Sequence, residues 1–154
     1  MHLAQLNVAR LKEPIDAPAS AEFVDALAPV NALADAAPGF VWRLQTDDGD
    51  ATSIRVFDDD LVIVNMSVWE SIENLRAYVY RSDHREVLRR RRDWFQPWDG
   101  PHLVLFWVEE GTRPTLAEAL ERLEQLRADG SSPSAFSFGR PFAPDGSPTT
   151  ATAG

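Results

Sequence analysis

Apolar and polar residues alternate from Ala4 to Val8, where Ala4, Leu6 and Val8 are separated by Gln5 and Asn7. A period of two belongs to a strand with one buried face and predicts the first strand. The loop LKEPIDAP follows, and Ser20 then stands as a cap before Phe23, Leu27, Val30 and Ala34, whose spacing of three to four predicts a helix. Pro29 falls inside that helix and predicts a kink or break, because proline lacks the N–H and its ring crowds the preceding turn. Pro38 and Gly39 punctuate the chain, Phe40 to Gln45 reads as a second strand, and Asp47 to Asp50 carry turn chemistry. Leu61 to Met66 predicts a third strand.

Ser67 and Glu70 have the S-x-x-E spacing of a capping box, which predicts a helix from about Val68. Helical spacing runs on to Phe95, and Ser82 with Asp83 gives a second cap, so two helical segments with a bend at Arg81 to Asp83 are expected. His102 to Val108 is almost continuously apolar, as a strand buried on both faces is. Thr115 and Glu118 repeat the capping box, Leu116, Leu120, Leu123 and Leu126 mark one helix face, and Gly130 closes it. Ala135 to Phe138 adds a short edge strand.

The order is β-α-β-β-α-β with an extra helix, the ferredoxin-like α+β arrangement built on a four-stranded antiparallel sheet. Residues 1–138 form one domain on this reading. The tail 139–154, small, polar and proline-bearing, is expected to be disordered. With helices on one sheet face, the other face, carrying Trp42, Val62, Val64 and Phe106, needs a cover. A second copy of the chain is the simplest one, which predicts a homodimer.

Composition narrows the partners. Fifteen Lys plus Arg against 24 Asp plus Glu give a net charge of -9, which disfavours nucleic acid and anionic lipid. No stretch approaches 18 uncharged apolar residues, and the N-terminus lacks the form of a secretory signal, so a cytoplasmic protein without membrane association is expected. The absence of cysteine removes disulfides, thiolate metal sites and thiol nucleophiles. His2, His84 and His102 are too far apart for a spaced metal motif, and no phosphate-binding glycine loop or nucleophile elbow occurs.

GFVWRL from Gly39, NMSVWES from Asn65, YRSDH from Tyr80, RRRRDWF from Arg89 and LFWVEEGTRPT from Leu105 together resemble a bacterial domain-of-unknown-function family, DUF3291-like. More distantly they resemble the dimeric α+β barrel superfamily. The resemblance covers roughly residues 2 to 138. It implies a dimer with a pocket between sheet and helices in each subunit. The superfamily includes antibiotic-biosynthesis monooxygenases, haem enzymes, and dehydratases or cyclases of secondary metabolism, so it implies no single reaction.

Candidate chemistry starts on the segment Asp83 to Phe95, where His84, Leu88, Arg91 and Phe95 share one helical stripe. His84 suits proton transfer or axial ligation and Arg91 suits an anionic oxygen. The plainer alternative is that His84 caps a helix junction and Arg91 snorkels to a surface carboxylate. Trp42, Trp69, Tyr78, Trp94 and Trp107 are candidates to stack on a planar ligand, with core packing as the alternative. In cofactor-free oxygenases of related fold, asparagine and tryptophan orient an aromatic substrate, which makes Asn65 beside Trp69 a candidate. The expected function is therefore a monooxygenase-, dehydratase- or cyclase-like enzyme acting on an aromatic or polyketide-type molecule, with no cofactor or with haem. The competing expectation is a non-catalytic carrier of an apolar ligand or haem.

Overall fold

The computed structural model describes residues 1–45, 61–80, 94–97 and 100–149. Four strands, β1 (His2–Arg10), β2 (Phe40–Arg43), β3 (Val62–Trp69) and β4 (Leu103–Val108), form one sheet in the order β2-β3-β1-β4 with antiparallel neighbours. Among the described residues three helices, α1 (Ala21–Asp35), α2 (Ile72–Val79) and α3 (Leu116–Asp129), pack on it. This is the α+β, ferredoxin-like architecture.

The pleat sends alternate residues to opposite faces. Ala4, Leu6 and Val8 on β1, with Val62, Val64, Met66 and Val68 on β3 and Val104, Phe106 and Val108 on β4, make one apolar layer. Helix α3 lies on that layer through Ala119, Leu123 and Leu126. Thr115 caps α3 by accepting a hydrogen bond at Oγ1 from the Glu118 N–H at 3.1 Å, and Gly130, at φ +74°, ends it. The sheet face that pointed to a second copy is thus covered within the chain. The pattern had shown the helix, but nothing in it said on which face the helix would lie.

Two local expectations are corrected. The helix predicted from Val68 begins instead at Ile72, because β3 stays paired with β1 as far as Trp69 opposite Leu3. Ser71, not Ser67, is its cap, accepting from the Asn74 N–H at 3.1 Å. Pro29 lies within α1, which continues past it to Asp35. Ser20 precedes α1 without a side-chain cap bond, and its hydroxyl donates to the Glu13 carbonyl at 3.2 Å.

The bend expected at 81–83 lies outside the described residues. After α3 the chain wraps round the β4 edge, where Phe136 and Leu105 exchange both backbone hydrogen bonds. Residues 139–149, expected from composition to be disordered, run as turns against the sheet. There Phe142 packs near Phe136, and its carbonyl accepts from Trp107 Nε1 at 2.8 Å.

Gly39 makes the turn from α1 into β2 at φ +81°, and a Cβ there would overlap the Asn74 side chain. Gly39→Ala is expected to cost about 2–4 kcal/mol, as the sum of left-handed strain and overpacking. Urea denaturation that finds less than about 1 kcal/mol would show that the turn relaxes freely.

Candidate functional site

The second sheet face carries the polar members of the alternation. Gln5 and Asn7 on β1 stand directly opposite Ser67 and Asn65 on β3, so the register gathers four hydrogen-bonding side chains. Gln5 and Ser67 are buried from bulk water. Helices α1 and α2 stand over the group and border a cavity of about 370 Å³. Its floor is Gln5, Asn7, Asn65 and Ser67, and its walls are mostly apolar, with Phe23, Leu27 and Val30 from α1 and Leu75 and Val79 from α2. Phe138, beyond α3, closes one side, held by the Arg76 guanidinium over its ring and by Arg76 Nη2 donating to its carbonyl at 3.1 Å. An apolar pocket of this size with a few convergent polar groups is the usual form of a small-molecule site.

The floor is an ordered network. Gln5 Nε2 donates to Asn65 Oδ1 at 2.6 Å and to Ser67 Oγ at 2.8 Å. Trp69 Nε1 donates to the same Ser67 Oγ at 2.8 Å. Gln5 and Ser67 are buried, whereas Asn65 is exposed. Among the described residues the buried Asn7 Oδ1 has no hydrogen-bond partner, and a polar atom left so costs about 1–3 kcal/mol. Trp69 forms a wall, stacked on Tyr78 with ring centroids 5.1 Å apart and 29° between planes. Tyr78 is fixed in turn by its hydroxyl donating to the Val30 carbonyl at 3.2 Å.

Of the sequence candidates, Asn65, Trp69 and Tyr78 come together in this cavity. Trp42, Trp94 and Trp107 do not line it. A β-bulge between Phe40 and Trp42 turns Trp42 to the α3 side, opposite Val68 and beneath the Arg113 guanidinium, and sends Arg43 to the cavity. Trp94 packs on Phe23 in a third apolar cluster, and Trp107 is held by the Phe142 carbonyl. His84 and Arg91 lie outside the described residues.

Sequence reasoning missed Gln5, Asn7, Ser67 and His102, which also lines the cavity. The available signal was the polar phase of the alternation in two strands that pair. Arg43 contributes a cation at the wall, with Nε 2.8 Å from Asp35 Oδ1. Asp145, whose carboxyl is held below its usual range by hydrogen bonds from Ser147, does not line the cavity.

Among the described residues no group of three or more His, Asp and Glu side chains could hold a metal ion, and no helix is long and apolar enough to cross a membrane. Haem fits the described floor poorly, because amides and a hydroxyl suit carbonyl, hydroxyl or oxyanion groups rather than iron.

Three comparisons place this geometry. No curated protein matches the chain. Among solved structures, SnoaB, a cofactor-independent oxygenase from Streptomyces nogalater, is 21% identical at a TM-score of 0.51, over 75% of this chain and 96% of that one. An alanine-substituted variant of SnoaB is 22% identical at the same TM-score and coverage. A Nitrosomonas europaea protein assigned to the antibiotic biosynthesis monooxygenases is 15% identical at a TM-score of 0.51, over 73% and 94% of the two chains. At such identities the likeness shows the fold. The model of the family described as Domain of unknown function (DUF3291) matches residues 2–152, nearly the whole length. The chain belongs to the DUF3291 family.

Proposed function

We propose that the chain binds a small planar aromatic molecule in this cavity and oxygenates it with dioxygen as the oxidant, in the manner of a cofactor-independent monooxygenase. The observation that carries the reading is the floor itself. A hydrogen-bonded strip of neutral side chains lies at the base of an apolar cavity, beside the stacked pair Trp69 and Tyr78. Aromatic walls supply binding through area and stacking, and a few polar groups orient the ligand. The shared fold of SnoaB, itself a cofactor-independent oxygenase, supports the same reading.

The chain's side chains would hold the ring, exclude water and manage one proton. For an electron-rich ring the sum balances without a reductant, as in 1-naphthol plus O2 giving 1,4-naphthoquinone plus water. His84 is our proposed proton acceptor and Arg91 our proposed holder of an anionic oxygen, both on the sequence pattern alone.

The experiment is oxygen uptake with 1-naphthol under 18O2. One O2 consumed and one 18O retained per quinone is expected, with His84→Ala slower by roughly 10²–10⁴-fold. Binding of 1-naphthol with no oxygen uptake would leave a carrier instead. Conversion without oxygen uptake would point to dehydratase or cyclase chemistry.

A further inference from the structure

The hydrogen-bond inventory of the floor says which protonation state of a ligand it suits. Ser67 Oγ has two lone pairs and one proton. Gln5 Nε2 and Trp69 Nε1 both donate to it, and an indole N–H can only donate. Both lone pairs are therefore filled, and the hydroxyl proton has to point elsewhere. Among the described residues it meets no acceptor. One lone pair of Asn65 Oδ1 is taken by the other Gln5 N–H at 2.6 Å, which fixes the amide with its nitrogen, bearing two N–H donors, on a residue exposed at the cavity. Gln5, buried and with both donors committed, locks the two neighbours in this sense. The floor thus offers donors at Asn65 and Ser67, neighbours on one face of β3, beside the Asn7 carbonyl oxygen opposite Asn65. Among the described lining residues Arg43 is a cation and none is a carboxylate.

We propose that Ser67 and Asn65 form an oxyanion site, so that the cavity takes a phenol or enol as its anion rather than as the neutral molecule. The proposal rests on the aromatic-cavity reading and sharpens its substrate class. Preorganised neutral donors in a site shielded from water stabilise negative charge more than water-exposed donors do. They also hold the ring in its electron-rich form, from which dioxygen takes electrons. Binding breaks the O–H bond of the ligand and releases its proton to solvent.

The test uses 7-hydroxycoumarin, whose anion absorbs at longer wavelength than its neutral form, with 7-methoxycoumarin as a partner that cannot ionise. The full-length chain is titrated with each across pH. The expected result is an apparent pKa for bound 7-hydroxycoumarin lowered by about one unit, a tenfold preference for the anion. Binding of the methoxy compound should be weaker and indifferent to pH between 6 and 8, as roughly the range in which the probe ionises. Asn65→Ala, at an exposed position, is expected to lose at least half of the lowering.

An unchanged pKa overturns the proposal while leaving the cavity as an aromatic site. A raised pKa overturns it too, and would mean that the Gln5 and Asn65 amides are turned over with carbonyl oxygen towards the ligand. If neither coumarin binds, the aromatic-cavity reading falls and takes this proposal with it.

Discussion

Trp69→Ala is expected to lower folding stability by about 3–5 kcal/mol, a fall in Tm of roughly 6–20 °C for a chain of this size. Few side chains here join so many kinds of contact. Trp69 is 1% exposed, stacks on Tyr78, meets Phe40 edge-on at 5.5 Å, and donates to Ser67. Truncation removes the wall of the cavity and the donor that helps fix the Ser67 proton.

Trp69→Phe separates these effects. It keeps an aromatic ring against Tyr78 but loses the N–H and part of the indole volume, so about 1–3 kcal/mol is expected, one net hydrogen bond plus a partial cavity. Thermal unfolding of the two variants side by side provides the measurement. Equal losses would show that the hydrogen bond rather than the packing dominates, and a fall under 2 °C for Trp69→Ala would remove the residue from the structural core of the site.

How far the sequence foretold this site turns on what alternation can and cannot say. The period-two pattern in Gln5 and Asn7 marked a polar face correctly, and the architecture followed from the order of periods. What the pattern could not carry was the identity of the layer above that face. A polar phase reads as solvent by default, because most half-buried antiparallel strands have water on one side. Here it lies under two helices, and only the cross-strand pairs Asn7 with Asn65 and Gln5 with Ser67 turn four separate polar residues into a single floor.

Ser67 shows the same limit from the other side. Its S-x-x-E spacing with Glu70 is real, yet sheet pairing up to Trp69 overrides the local signal and gives the hydroxyl to the cavity. Trp42 keeps the face expected for it, with Val62, Val64 and Phe106, and that face is the packed layer under α3 rather than the cavity.

The second large effect is expected at Leu123, on the far side of the sheet. Leu123 is fully buried between Ala119 and Leu126 of α3 and the apolar layer of the strands. Leu123→Asp combines the loss of that burial with an unpaired charge facing hydrocarbon, at a cost of more than about 5 kcal/mol. A loss of that size is comparable with the whole stability of an ordinary domain, so an unfolded chain at 25 °C is expected.

Glu124→Ala, one residue on, serves as the control. Its carboxylate is solvent-exposed in a surface pair with Arg127, and a change within about 0.5 kcal/mol is expected there. The comparison also bears on the homodimer. Had this sheet face been sheltered by a partner copy, a charge placed on it would split the assembly into folded single chains, and raising the protein concentration would restore it. Because α3 covers the face from within, far-UV circular dichroism of Leu123→Asp should be lost equally at low and high concentration. Any second copy would then have to bind elsewhere on the molecule.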